Sequence, residues 1–394
     1  MIRVGAAIST HGTPAAAANE VFERAVSTLD GAKPDLAFVF VSAAYGTEVE
    51  QIVSVLAPRL AGAVLLGCTT QASIGEDREV EIGPAVSLWV ASLPEATLRP
   101  FEVSFQNTPD GQALVGFPLV EDSIKAVFLL ADPYTFPTQH LLQNLNDDHP
   151  DLPVFGGQAS GAGAGQIALI LGDKVLNGGA VGVQIGGSID IAPLVSQGCK
   201  PIGDPFIVTR ARGNIIFQLG GKPPLVRLRD IMAKMSREER ARAAHNLHLG
   251  VVIDERQPDP GPGDFLIRSV LQADPETGAI SVGDVVTVGQ TVQFQVRDAA
   301  TADADLRGLL EERLGQMGGR LPVGALLFTC NGRGSNMFGQ PDHDVGVIRD
   351  NVPGMPVAGM FCGGEIGPIG GKNFLHGYTA SLALFLEPFP GRDE

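Results

Sequence analysis

Three times along this chain an apolar run is followed, at nearly the same distance, by a shorter apolar stretch that breaks into glycine. Leu36–Val41 leads to Gly67, Lys125–Ala131 to Gly156, and Gly324–Thr329 to Gly359. Continuous apolar runs of this length suit strands that are covered on both faces. Helical patterns follow the first run in two of the copies, near 47–60 and 138–146. Gly83, Gly178 and Gly377 each precede a further β-leaning run: Pro84–Leu93, Ala180–Ile185 and Tyr378–Leu386. Gly67-x7-Gly75 and Gly359-x7-Gly367 have one length, with Ile74 and Ile366 before the second glycine; the middle copy, Gly156–Gly163, fits loosely. Recurrence constrains a fold more than any single motif, and it predicts three related α/β units of roughly 55–60 residues each. Each reads as strand, helix, strand, Gly loop, strand.

The remaining segments fill in the organisation. Residues 13–31 read as a helix with Thr13 as cap, Pro14 in its first turn and Gly31 after its end. Thr47–Glu50 reads as a capping box opening the helix that runs to about Leu60. Residues 188–322 leave the pattern. Gly213-Asn214 between two β-leaning runs signals a hairpin. Ser236–Glu239 is a capping box whose helix is expected to end near Leu249, with Gly250 as its C-cap. Residues 254–264 read as a loop or hinge, 278–297 as alternating strands and 303–317 as a helix. The expected fold is α/β, with mixed sheets, two lobes and an antiparallel insertion before the last unit. The expected domains are 1–200, with two units, and 201–394, with the insertion and the third unit.

Composition excludes several functions. A net charge of −16 disfavours nucleic acid and anionic membrane surfaces, both of which need clustered Lys and Arg. No apolar run approaches the ~18 residues of a membrane span, and the N-terminus lacks a signal-peptide pattern, so a cytoplasmic location is expected. The four cysteines, Cys68, Cys199, Cys330 and Cys362, are scattered, which gives neither a zinc pattern nor a disulfide framework. Abundant Ala, Gly, Pro and Arg suggest a GC-rich bacterial genome.

Gly-rich segments at the ends of apolar strands belong at one edge of a sheet, where open α/β folds bind ligands. Gly67–Gly75, Gly156–Gly165 and Gly359–Pro368, with the first-strand loops at Ser42–Gly46, Asp132–Tyr134 and Cys330–Gly334, offer small polar residues and two charges, Arg333 and Glu365. Arg333 could hold a carboxylate in bidentate fashion and Glu365 an ammonium, a pair suited to a small zwitterion such as an amino acid. The plainer alternatives are a loop salt bridge for Arg333 and a turn or helix cap for Glu365.

Competing chemistries have less support. No phosphate-binding G-x-x-x-x-G-K-[ST] is present, and Gly157–Gly161 misses the G-x-S-x-G spacing. His245 and His248 share a face of the expected helix, but in its last turn, where the dipole favours imidazolium over metal ligation. The runner-up reading is an enzyme using Cys362 or Cys330 with His376, although no third group to orient the base is evident. No cofactor is expected.

GALLFTCNGRG, PVAGMFCGGEIGP and HGYTASLALF resemble the C-terminal FIST domain, and PFIVTRARGNIIFQLGG resembles its start. VLLGCTTQASIG resembles the N-terminal FIST domain. The resemblance spans about 30–200 and 200–385. It implies a sensory module of signal transduction that binds small ligands such as amino acids and acts through a protein partner; the oligomeric state is left open. It supplies no catalytic residue. By motif position it points to Arg333, Gly359, Gly364 and Glu365 as ligand contacts. Family members often carry kinase, chemoreceptor or cyclase output domains. No stretch remains for one here, so a standalone sensor is expected.

Overall fold

The computed structural model describes residues 1–108, 111–257, 260–261 and 263–388. Of these described residues, those within Met1–Val195, Leu306–Leu375 and Thr379–Glu394 form the first lobe, and those within Ser196–Asp305 and His376–Tyr378 the second. All three units belong to the first lobe. The expected division at 200/201 follows chain order; in space the third unit joins the first two.

Each apolar run forms the central strand of a mixed sheet. Leu36–Ser42 runs parallel to Val64–Thr70 and antiparallel to Val86–Ser92. Ile124–Ala131 runs parallel to Val154–Gln158 and antiparallel to Ala180–Gly187. Gly324–Cys330 runs parallel to Val357–Cys362 and antiparallel to Ala380–Leu386. The parallel crossovers carry the helices Val49–Arg59, Thr138–Asp148 and His343–Asn351.

The units exchange strands in a closed cycle. The hairpin Ser73–Gly75/Arg78–Val80 of the first unit pairs with Val357–Cys362 of the third. Leu169–Leu171/Lys174–Leu176 of the second pairs with Val64–Thr70 of the first. Gly364–Ile369 of the third pairs with Val154–Gln158 of the second. Ile74, Ile170 and Ile366 lie opposite Gly359, Gly67 and Gly156, and all three isoleucines are fully buried.

This cycle corrects the reading of the Gly segments as loops. Residues 64–75 and 357–369 are mostly strand, with a short break where the chain leaves its own sheet for its neighbour's. The glycines are required by packing: a Cβ on Gly67, Gly156 or Gly359 would lie 2.2, 1.9 or 1.8 Å from the carbonyl oxygen of Val39, Leu129 or Leu327. Each of these is the glycine's partner across the parallel ladder.

The three sheets enclose one core. Phe38 meets Phe128 at 5.3 Å between ring centroids, Phe40 meets Phe328 at 6.1 Å, and Phe128 meets Phe385 at 5.7 Å, so rings from all three units interlock. Each such ring contributes about 1.5–3 kcal/mol by burial. The outer faces are covered in turn: by Pro14–Ser27 and Val49–Arg59 on the first sheet, Thr138–Asp148 on the second, and His343–Asn351 with Leu306 and Leu310 on the third. Coverage of both faces explains the unbroken apolar runs.

In the second lobe six strands close into a barrel: Thr291–Arg297, Phe206–Arg212, Ile215–Leu219, Ile280–Val282, Phe265–Ala273, Leu247–Val252 and back to Thr291–Arg297. Closure removes exposed edges. The Gly213-Asn214 hairpin forms as expected, and the Ser236 capping box is complete. Its helix, however, stops at His245, and Leu247–Val252 is a barrel strand. Gly250 is therefore no C-cap; a Cβ there would press on Phe265 at 2.9 Å. Nor does Thr47 cap its helix, which begins at Val49 after a 3-10 segment, with no side-chain cap. Residues 258–259 and 262 of the expected hinge lie outside the described residues.

Candidate ligand site

The breaks between exchanged strands meet one another. Ser160 N donates to Thr69 O, Gly363 N to Gln158 O, and Phe361 N to Ala72 O, one bond between each pair of units. Ser160 joins all three units, since its Oγ accepts from Gln71 N at 2.9 Å and donates to Phe361 O at 2.6 Å.

The four residues singled out in the sequence are all buried at or near these exchanges. Gly359 is packed against Leu327. Gly364 lies opposite Gln158, and a Cβ there would come within 2.9 Å of Gln158 Oε1 and Leu375 Cδ1. Glu365 lies opposite Gly157, and its Oε2 accepts from Thr379 N at 3.1 Å and Thr379 Oγ1 at 2.9 Å. Arg333 forms a bidentate pair with Asp344, Nε to Oδ2 at 2.7 Å and Nη2 to Oδ1 at 2.8 Å. The structure thus gives Arg333 and Glu365 separate partners.

Around Arg333 the structure shows a charged cluster that the sequence reading missed. Asp344 also accepts from Thr329 Oγ1 at 2.8 Å and lies 2.9 Å from His343 Nδ1. Glu79, from the first unit's hairpin, accepts from Val345 N at 2.9 Å, at the start of the helix His343–Asn351. Its own N–H donates to Asp342 Oδ1 at 2.6 Å. Burial, then the charge of Asp344, raises the Glu79 carboxyl to about 8 against the Val345 hydrogen bond. Burial would raise Asp344 as well, but Arg333 and the hydrogen bonds hold it well below the usual carboxylate range. Arg333 Nη1 and Glu79 Oε2 are buried without a hydrogen-bond partner among the described residues.

The sister units place uncharged groups where the members of this cluster stand. Ile52 and Leu141 precede Gly67 and Gly156 by the interval that separates Asp344 from Gly359, and both are buried. Val175 lies opposite Ile170 as Glu79 lies opposite Ile74. Tyr45 follows Val39 by the interval from Leu327 to Arg333. Registering the three copies in this way is the signal that exposes Glu79 and Asp344.

At the equivalent end of the first sheet there is an open crevice of about 370 Å³, lined by the loop after Leu36–Ser42, the start of the helix Val49–Arg59, and residues 161–166 of the second unit. Gly46 (φ 55°), Gly161 (φ 79°) and Gly165 (φ 75°) shape its rim in the left-handed region that glycine adopts without strain. A Cβ on Gly161 would also strike Gln71 N at 2.7 Å. Ala43, Val49, Ala162, Ala168 and Val175 supply apolar wall; Thr47, Thr69, Gln166 and Asn177 supply neutral polar groups; among the described residues Glu50 is the one charged lining residue. Thr69 Oγ1 accepts from Ala168 N at 3.2 Å, which leaves its hydroxyl proton to donate. A larger depression of about 780 Å³, between the same helix and residues 172–175 at the sheet edge, shares Glu50 and Val175 with the crevice.

Two of the thiols, Cys362 and Cys68, lack the setting a nucleophile needs. Cys362 is fully buried, and burial followed by the Glu365 charge pushes its thiol well above its ordinary value. Cys68, whose Sγ lies 3.2 Å from Met360 Sδ, is likewise raised by burial. His376 is buried at the end of Lys372–His376. His248 lies on a barrel strand, its Nδ1 2.9 Å from Asn246 O, and burial lowers its pKa.

Three exchanged mixed sheets with a crevice at their strand ends, accompanied by an antiparallel barrel, define an α/β protein with a ligand-sized cavity. The chain belongs to the FIST family: residues 35–222 match the FIST N domain and residues 225–368 the FIST C domain. FIST domains are associated with sensory signal transduction. An uncharacterized protein of Mycobacterium tuberculosis is 44% identical over 98% of this chain and 100% of its own length. One of Mycobacterium bovis is 44% identical over 98% of this chain and 99% of its own. Among the described residues no helix is long and apolar enough to cross a membrane.

Proposed function

We propose that this chain is a sensory protein that takes a small polar molecule into the crevice between residues 43–50 and 161–166 and passes the change to a protein partner. The observation that carries the reading is the meeting of loops from two units over one cavity at strand C-terminal ends. Such cavities combine apolar wall with a few fixed polar groups, as this one does. The whole crevice is built from the stretch 1–200, which on this reading is the ligand-holding module. The stretch 201–394 supplies the barrel and the third unit. Arg333, Gly359, Gly364 and Glu365 then serve the ligand indirectly, by holding the exchanged strands on which the loops stand. A cytoplasmic metabolite is the expected signal.

A thermal-shift screen of small metabolites tests this. A compound at 100 times its dissociation constant stabilises the fold by about 2.7 kcal/mol, a readily measured shift. Ala162→Phe fills the crevice from its rim and should abolish the shift while leaving the unliganded protein folded. A ligand whose binding survives Ala162→Phe would place the site elsewhere.

A further inference from the structure

We propose that the crevice selects a small organic amine lacking a carboxylate; this rests on the sensory reading above. Glu50, on the first turn of the helix Val49–Arg59, is the one acidic or basic side chain lining the crevice among the described residues. The adjoining depression, which shares Glu50, adds Asp173 and no basic group. Two cavities that meet at a carboxylate, with no Lys, Arg or His among the described residues lining either, give an ammonium a charged partner and a ligand carboxylate only neutral donors. The guanidinium nearest in kind to a carboxylate receptor, Arg333, is already committed to Asp344 by two hydrogen bonds.

The neutral lining fits the same chemistry. Thr47, Gln166 and Asn177 offer side-chain oxygens that can accept from the remaining ammonium N–H groups or from a ligand hydroxyl. Ala43, Val49 and Val175 give apolar surface for a short methylene chain. Glu50 is exposed, so its substitution removes the charge without disturbing the core. The same exposure makes the attraction sensitive to salt.

The test uses four probes of similar size: 1,4-diaminobutane, 4-aminobutanoate, succinate and glycerol. Each is titrated by calorimetry into wild type, Glu50→Gln and Ala162→Phe. The expected result is that the diamine binds wild type, binds Glu50→Gln about two- to fivefold more weakly, as an exposed charge pair requires, and does not bind Ala162→Phe. Succinate should not bind, and 4-aminobutanoate should bind more weakly than the diamine. Equal or tighter binding of either carboxylate, glycerol binding unchanged by Glu50→Gln, or no binding by any probe would overturn the amine assignment. The crevice reading fails separately, if a compound returned by the wider screen binds Ala162→Phe as it binds wild type.

Discussion

Gly359 of the third unit lies directly opposite Ile74 of the first, with its other side against Leu327 O. One position thus joins two units, and it can do so only without a side chain. Alanine at Gly67, Gly156 or Gly359 should force backbone displacement and destabilise the fold by about 1–3 kcal/mol or more. Gly346 is the internal contrast: it lies within the helix His343–Asn351 with nothing near its missing Cβ. Gly346→Ala should stabilise by about 0.5–1 kcal/mol. Urea midpoints of the four variants decide the matter, and wild-type midpoints for the three strand variants would refute the close-approach account.

Arg333 and Asp344 form a fully buried pair where Tyr45 and Ile52 stand in the first unit. Breaking such a pair strands a charge and should cost about 3–5 kcal/mol, whereas replacing it with apolar groups is often neutral. Arg333→Met alone is therefore expected to be strongly destabilising. The triple variant Glu79→Val, Arg333→Tyr, Asp344→Ile, which copies the first unit, should recover most of that loss in denaturant titrations. If the triple variant is no more stable than the single one, the equivalence of the units at this place is wrong.

The same cluster sets a pH dependence. Glu79 is raised from 4.5 to about 8, so across that window the folded state holds more protons than the unfolded state. Stability from this group is therefore complete below about pH 4.5 and falls toward pH 8, by at most ~1.4 kcal/mol per pH unit. Asp344 is depressed, so its contribution is complete above its ordinary range and is lost in acid. Together they place the maximum of this cluster's contribution between the ordinary values of the two groups, 3.8 for Asp344 and 4.5 for Glu79. In Glu79→Gln the alkaline decline should flatten; a profile that still declines as in wild type would assign it to another group.

Cys68 and Cys362 should resist alkylation in the native protein at neutral pH, since burial holds both thiols protonated. Iodoacetamide labelling followed by peptide mass spectrometry should find them modified only after unfolding. Rapid native labelling of Cys362 would revive a cysteine-based enzyme.

Much of the fold was legible because the apolar runs that form central strands are covered on both faces and so unbroken. Leu36–Ser42 and Gly324–Cys330 announce themselves in this way. Strand exchange was not legible. Ser73–Gly75 looks like the tail of a Gly loop until its partner, Val357–Cys362, is known, and that partner is far away in the chain. His248 misled for a related reason: a capping box fixes where a helix starts, while barrel pairing fixed where it stopped. At the candidate site, the sequence named the loops 42–46 and 156–165 that line the crevice, yet placed the charges at Arg333 and Glu365. Both of those charges are buried, each with its own partner. Arg333 is taken by Asp344, an acidic residue at a position that is apolar in the sister units, and a single copy read alone does not show it.

The central claim is that ligand is held where residues 43–50 face residues 161–166. Hydrogen–deuterium exchange with and without a saturating ligand from the thermal-shift screen tests it most directly. The account predicts new protection concentrated in those two segments. Protection centred instead on residues 330–335 and 363–367, with 43–50 and 161–166 unchanged, would contradict it.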